Sequence, residues 1–237
     1  MKSPALLAPL VLLLALCACA SPGSPTATSG SPTATNAADQ PPQVVDGMQL
    51  KVHSGTRLVY VKPGATFGKY NKVMILDCLV EFQKDWQRNY NSDVVGLDQQ
   101  VTDYKMTQMK QALASEFKRI FTRELQKGGY QVVTTAAPDV LLLRPAIAEL
   151  QVTAPDVMSA GMNVNYVRSA GSGTLYLELW DSATNTILAR VMDAQADQEA
   201  FAQQANSVTN TAAADTIITG WADSLVKHLD AARKAAS

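Results

Sequence analysis

The sequence predicts a single α+β domain in which two helices pack on one face of a largely antiparallel sheet. Runs with alternating apolar residues, typical of strands, precede residue 83 and fill much of 130–196. Two longer segments, one central and one C-terminal, carry apolar residues at helical spacing. The resulting order of strands, helix, strands, hairpin and helix favours α+β over alternating β–α units.

The first strands are predicted after Val44, where the folded domain (residues 44–237) begins. Arg57–Lys62 is a short β-rich run that Pro63-Gly64 ends, and Lys72–Phe82 is a stronger strand. A period of two places these side chains of that strand on one face: Met74, Leu76, Cys78, Val80 and Phe82. We therefore expect Cys78 to be a small core residue and not a nucleophile.

Met106–Leu125 is the clearest helix, and Gly128-Gly129 predicts its end because glycine adopts the left-handed conformation at little cost. The Met and Phe side chains of this helix indicate a face buried on the sheet, with a ligand groove as the less favoured alternative. The final helix is predicted at Asn210–Ala235. Its apolar stripe consists of Ile217, Ile218, Trp221, Leu225 and Leu229.

Between the helices, strands are predicted at Tyr130–Thr134, Asp139–Val152, Gly173–Trp180 and Ile187–Ala196. Pro145 indicates a sheet edge or a bulge, because proline donates no ladder hydrogen bond. Pro155–Ser172 is interpreted as a loop rich in Met. Asp181–Thr186 is a hairpin connection in which Asn185 can adopt positive φ.

Residues 1–18 are interpreted as a lipoprotein signal peptide. Lys2 precedes the apolar run Leu6–Leu16, which is shorter than the roughly 20 residues that span a bilayer. Leu16-Cys17-Ala18-Cys19 then resembles a lipobox. Because cleavage before Cys19 leaves the small Ala18 at the cut, we expect Cys19 to carry the lipid. An ordinary cleaved signal is the alternative.

Residues 19–43 are predicted to be the lipidated N-terminus and a disordered tether of Ser, Thr and Pro. Such a tether reaches roughly 25–30 Å, and a glycosylated stalk is a less favoured reading. Ala20, where an Asp commonly retains lipoproteins in the inner membrane, favours the periplasmic face of the outer membrane. The expected location is therefore the cell envelope, with a lipid anchor.

Charge and composition exclude several classes of function. The net charge of −1 does not favour nucleic acid as a partner. His53 and His228 form no pair with metal-site spacing, and no catalytic constellation is recognisable. The sequence predicts a protein that is not an enzyme and has no cofactor or metal.

The aromatic segment Asp85–Tyr90 is the tentative partner-binding site. Trp86, Arg88 and Tyr90 belong to residue types enriched at interface hot spots, and they stand in a polar stretch. The alternative, which we favour slightly for Trp86, is that this side chain folds back onto the core.

Several blocks resemble one family of bacterial envelope lipoproteins, domain of unknown function 3313. Tyr60–Gly64 with Lys69–Met74 resembles its Y-x-x-P-G-A-x-F-x-x-Y-x-K-V block, and Leu177–Thr184 and Trp221–Leu225 resemble later blocks. Asn185 stands where that hairpin often has glycine. The resemblance implies an exported, lipid-anchored α+β domain and no known activity or catalytic residue.

Two hypotheses of function follow. The first is a non-enzymatic accessory lipoprotein that binds another envelope component, a protein. The second is a binder of a small apolar ligand or lipid, with Pro155–Ser172 over the site. A large apolar pocket beside that loop would favour the second, and an exposed Trp86–Tyr90 patch would favour the first.

Overall fold

The computed structural model describes residues 40–152, 166–167, 171–196, 203–204 and 207–236. The predicted signal peptide, Cys19, most of the tether and most of the Pro155–Ser172 loop lie outside these residues. The strands are β1 (Val44–Val45), β2 (Met48–Ser54), β3 (Arg57–Val61), β4 (Lys72–Ile75), β5 (Leu79–Phe82), β6 (Gln131–Val132), β7 (Val140–Val152), β8 (Tyr166–Val167), β9 (Gly171–Asp181), β10 (Thr186–Ala196) and β11 (Gln203–Gln204). The helices are α1 (Trp86–Asp93), α2 (Asp103–Lys127) and α3 (Ser207–Ala236).

One sheet contains every described strand except β8 and β11, which pair with each other. Its order is β1-β2-β3-β10-β9-β7-β4-β6, and β5 also pairs with β7. The pairs from β1 to β7 along this order are antiparallel, whereas β4 and β5 run parallel to β7 and β6 runs parallel to β4. The α+β class is confirmed, with parallel pairing confined to one side of β7.

Helices α2 and α3 bury their apolar stripes on one face of the sheet. Phe117, Ile120 and Phe121 of α2 are fully buried, and Ile218 and Trp221 of α3 join the same core. The sheet contributes alternate residues of its central strands, among them Leu141, Leu143, Leu175, Leu177 and Leu179. The alternation predicted for the strand at Gly173–Trp180 is therefore correct.

Helix α2 is capped at both ends by local hydrogen bonds. The Thr102 hydroxyl accepts a hydrogen bond from the backbone N–H of Lys105, as an N-cap does. At the other end Gly129 has a φ of 79°, and the N–H of Tyr130 bonds the carbonyl of Leu125 at 2.9 Å. This is a Schellman ending, which the Gly128-Gly129 pair predicts.

The prediction of one continuous strand at Lys72–Phe82 is wrong, because the segment forms two strands, β4 and β5. The chain leaves β7 between Ile75 and Leu79, so the buried side chains are Val73 and Ile75 before the break and Cys78 and Val80 after it. Leu76, expected in the core, is 40% exposed. A single alternation cannot describe a strand that changes phase in its middle.

Pro145 explains where this break falls. It lies within β7, which has neighbours on both sides, opposite the point where β4 ends and β5 begins. Since proline has no N–H to donate, the parallel ladder loses a bond there. The bulge suggested for Pro145 lies instead at Glu149, whose φ is 54° and where the register between β7 and β9 shifts.

Candidate functional site

The α2–α3 cavity lies between these two helices and the ends of β7 and β9. It has a volume of about 380 Å³. Its described apolar lining comprises Met109, Ala112, Leu113, Ile147, Leu150, Val152, Ala213, Ala214, Ile217, Ile218 and Trp221. Alanines at facing positions of the two helices leave this space, because a larger side chain there would fill it. The helices thus enclose an apolar site large enough for a small ligand.

Polar groups of the α2–α3 cavity are few, and two of them are charged. Lys105 and Glu116 both line it from α2, with Met109, Ala112 and Leu113 between them on the same helical face. Glu116 is paired with Arg119, which lowers the pKa of its carboxyl group. Lys105 takes part in no ion pair between described residues. At one end of the cavity, the cation of Lys105 thus has no carboxylate partner within the part of the chain that the structure describes.

A second space, the β3–β10 cavity, lies beside α3 on the same face of the sheet and has a volume of about 250 Å³. Arg57, Asp193 and Ser224 form its polar corner. The Arg57 guanidinium donates to Asp193 Oδ2 at 2.8 and 2.6 Å and to Ser224 Oγ at 3.0 Å. This corner is satisfied internally, since the buried Asp193 carboxylate already has its cation.

Trp221 lines both cavities and forms part of the wall of each. Its side chain is buried, at 5% exposure, and its Nε1 makes no hydrogen bond to a described residue. The sequence predicts Trp221 to be a core residue, and the structure confirms that position. Its indole would report on occupation of either space.

The predicted partner-binding residues do not form an exposed aromatic patch. Trp86 is 8% exposed and stacks between Phe82 and Tyr90, with ring centroids 4.6 and 5.6 Å away. Trp86 is therefore buried, as the slightly favoured interpretation of the sequence predicts, and it does not present its ring to solvent. Arg88 is exposed and paired with Asp85 at 3.0 Å, and the role of these residues in partner binding stays a prediction.

An exposed apolar loop follows α1, and the sequence reading above missed it. Val95 and Leu97 are 93% and 87% exposed. Asn91 closes the base of this loop, since its amide accepts from the backbone N–H of Val101 at 2.8 Å and donates to the Val101 carbonyl at 2.9 Å. The Val-Val-Gly-Leu run inside a polar stretch was the signal that could have revealed it.

Other residues considered for chemistry have structural surroundings. Cys78 is buried, which raises the pKa of its thiol to about 12, so it is not a thiolate near neutral pH. The exposed His228 ring lies 2.7 Å from the Ser224 carbonyl through Nδ1. Among the described residues no cluster of His, Cys, Asp and Glu could hold a metal ion.

A buried polar network joins two of the sequence blocks that resemble the family, Lys69–Met74 and Leu177–Thr184. Asp181 Oδ2 accepts hydrogen bonds from Lys69 Nζ at 2.6 Å and Tyr70 Oη at 2.8 Å. Asp181 Oδ1 accepts from the backbone N–H groups of Ala183 and Thr184, which shapes the hairpin turn. The Lys69 ammonium, against the cost of burial, holds the pKa of Asp181 well below its ordinary value. These residues fix the fold beside the core.

The fold and cavities define an α+β domain with an open sheet, two long helices on one face and apolar space beneath them. Within the described residues, none of the helices is both long and apolar enough to cross a membrane. Residues 44–225 match the family described as protein of unknown function (DUF3313), and the chain belongs to that family. No curated protein matches the sequence.

Solved structures show only distant similarity. The PelC dodecamer from Paraburkholderia phytofirmans is 12% identical, with 71% of this chain and 97% of that chain covered and a TM-score of 0.37. A DUF330 protein from Xanthomonas campestris is 12% identical over 70% and 86% of the two chains, with a TM-score of 0.35. A neuraminyllactose-binding hemagglutinin homolog from Helicobacter pylori is 13% identical over 79% and 97%, with a TM-score of 0.35.

Proposed function

We propose that this chain is a lipid-anchored lipoprotein of the cell envelope whose domain binds the apolar part of a small ligand or lipid. The α2–α3 cavity is the binding site, and binding involves no chemical step, cofactor or metal. The single observation that carries this proposal is the cavity itself. The lipobox around Cys19 supports the anchor, and Ala20 supports the periplasmic face of the outer membrane as its location.

The size and lining of the cavity support a small apolar ligand. Ligand pockets commonly have volumes of about 300–1,000 Å³ and mostly apolar walls, and this cavity has about 380 Å³. Each methylene that leaves water contributes about 0.8 kcal/mol. A flexible acyl chain fits an irregular space between side chains such as Met109, Leu113 and Ile217. The cavity therefore suits one hydrocarbon chain better than a folded partner.

Displacement of a neutral fluorescent probe tests the proposal. The chain from residue 19, carrying Cys19→Ser so that no detergent is needed, is titrated with phenylnaphthylamine and then with decanol. We expect probe binding and its displacement by decanol. Ala214→Phe, which fills the cavity from α3, should abolish both effects.

The matched control is Ala212→Phe, which adds the same ring to an exposed position of α3 outside the cavity. If Ala214→Phe binds the probe as well as Ala212→Phe does, the α2–α3 cavity is not the binding site. Thermal unfolding of both variants establishes that each is folded.

Binding of an envelope protein is the second candidate function, and the exposed loop after α1 favours it. Val95 and Leu97 present two aliphatic side chains to solvent at 93% and 87% exposure. Exposed apolar side chains that lie close together can enter an apolar recess on a partner. A photo-crosslinking residue at Val95 in cells should capture one specific envelope protein. The same residue at Gln108, on an exposed face of α2, should not.

A further inference from the structure

The cation at the edge of the α2–α3 cavity points to the class of ligand. Lys105 lines the cavity from the first turn of α2, and its backbone N–H is the one that Thr102 caps. Positive charge near a helix N-terminus opposes the helix dipole and is unfavourable for the helix. The sequence therefore places a cation where helix stability gains nothing from it.

Neighbouring carboxylates do not explain this lysine. Asp103 accepts a hydrogen bond from Gln87 Nε2 at 3.0 Å, and Glu116 is paired with Arg119. The other lysines of α2, Lys110, Lys118 and Lys127, each have a carboxylate partner, at 2.6, 2.9 and 3.0 Å. Lys105 is the exception on this helix, and it alone of the four lines the cavity.

Lys105 and Glu116 mark two ends of the cavity that differ in charge. They are separated by eleven positions on one helical face, which corresponds to about 16 Å at 1.5 Å per residue. The side chains between them, Met109, Ala112 and Leu113, are apolar. At the Glu116 end Arg119 pairs with both Glu116 and Asp215, so this carboxylate already has a cation partner. An elongated ligand would thus meet an unpaired ammonium at one end and apolar walls along its length.

We infer that the α2–α3 cavity binds single-chain anionic amphiphiles, with the acyl chain between the helices and the carboxylate or phosphate headgroup on Lys105 Nζ. This inference rests on the proposed function and names its ligand class. An ammonium can donate up to three hydrogen bonds, and it serves either headgroup as a point charge. The apolar chain supplies affinity, and Lys105 supplies the preference for an anion.

Competition between three ten-carbon ligands tests the inference. Decanoate, decyl phosphate and decanol displace phenylnaphthylamine from the chain from residue 19 carrying Cys19→Ser. We expect the two anions to bind about tenfold more tightly than decanol at low salt. This difference in affinity should decrease at higher salt, because salt screens the partly exposed charge of Lys105. Whichever of decanoate and decyl phosphate binds more tightly indicates whether the ligand is a fatty acid or a phosphate-bearing lipid.

Lys105→Gln should remove the preference for anions and leave the affinity for decanol unchanged. The control Lys110→Gln removes an α2 lysine outside the cavity and should keep the preference. Because Lys105 opposes the helix dipole, Lys105→Gln should not lower the unfolding temperature. The inference is overturned if the preference for anions persists in Lys105→Gln. It is also overturned if the chain that keeps Lys105 binds the anions no more tightly than decanol. If decanol itself fails to bind, the proposed function fails with it.

Discussion

Tyr70 donates its hydroxyl hydrogen to Asp181 across 2.8 Å, although the two residues are separated by 111 positions in the sequence. The bond joins the loop before β4 to the turn between β9 and β10. Tyr70 is 2% exposed and Asp181 is 5% exposed, so little water competes for it. Two sequence blocks that lie far apart in the chain therefore meet at one buried carboxylate.

Asp181→Asn should destabilise the domain by about 1–3 kcal/mol, because an amide cannot accept all four hydrogen bonds and leaves buried donors unsatisfied. Tyr70→Phe removes one donor and should cost about 1 kcal/mol. Urea unfolding measures both values. Asp77→Asn, at an exposed aspartate paired only with Lys118, is the control. Equal effects of Asp181→Asn and Asp77→Asn would show that the network contributes nothing.

Stability should depend on pH at both extremes through this network. The pKa of Asp181 is lowered by Lys69, so its contribution is present above about pH 4 and is lost as pH falls toward the folded-state value. Burial raises the pKa of Tyr70 to about 12, so its neutral form stabilises the fold up to about pH 10 and that contribution is lost above it. Urea midpoints measured between about pH 2 and about pH 12 give this dependence. Asp181→Asn should reduce the loss of stability at acid pH. If this loss is the same in the variant, Asp181 is not its cause.

Cys78→Ala should cost roughly 1 kcal/mol or somewhat more through the lost contacts and the small cavity. Burial and the thiol pKa of about 12 both predict slow reaction of the native protein with a polar maleimide. Labelling in urea gives the fully reactive reference. Labelling of the native thiol at the reference rate would exclude burial.

Trp221→Ala should lower the free energy of unfolding by about 3–5 kcal/mol, a large part of the about 5–15 kcal/mol that holds a typical domain. Its indole lines both cavities, so truncation would enlarge the empty space beside α3. Lys227→Ala, at an exposed position of the same helix, should change the urea midpoint little. Equal shifts for the two variants would mean that α3 is not part of the core.

Cys19→Ser should release the protein from membranes or leave the signal uncut, and Cys17→Ser should do neither. Membrane fractionation together with the size of the precursor measures both effects. Unchanged fractionation and size in Cys19→Ser would show that the lipid is attached elsewhere or is absent.

Local signals predicted the two long helices, the β9–β10 hairpin and most strands. Gly129 and Asn185 both have positive φ, as the turn chemistry requires. The phase change between Ile75 and Cys78 was not predictable, because it depends on Pro145, which lies next to it only in the folded sheet. The short helix α1 was also missed, since its sequence is polar apart from Trp86 and Tyr90, which alone mark its apolar side.

The candidate site was harder to predict than the fold. Trp221 and Met109 were placed correctly on apolar faces, but the space between the helices depends on how Ala112, Ala213 and Ala214 face one another. The polar sequence around Trp86 left an exposed binding position open beside the buried one, because its aromatic neighbours Phe82 and Tyr90 stack on it only after α1 forms. Packing between different elements determines both the space between the helices and the burial of Trp86.

The pairing of β3 with β10 has a consequence for the order of assembly. Its register runs from Arg57–Asp193 to Val61–Ala189, so the second edge of β3 stays unpaired until nearly the whole domain is available. Pairing over such a separation is slow, because the entropy of closing the intervening chain opposes it. During synthesis, which delivers the N-terminus first, the β2–β3 hairpin must wait for β10 before the second edge of β3 is paired. The native order of the sheet is therefore complete only near the end of synthesis.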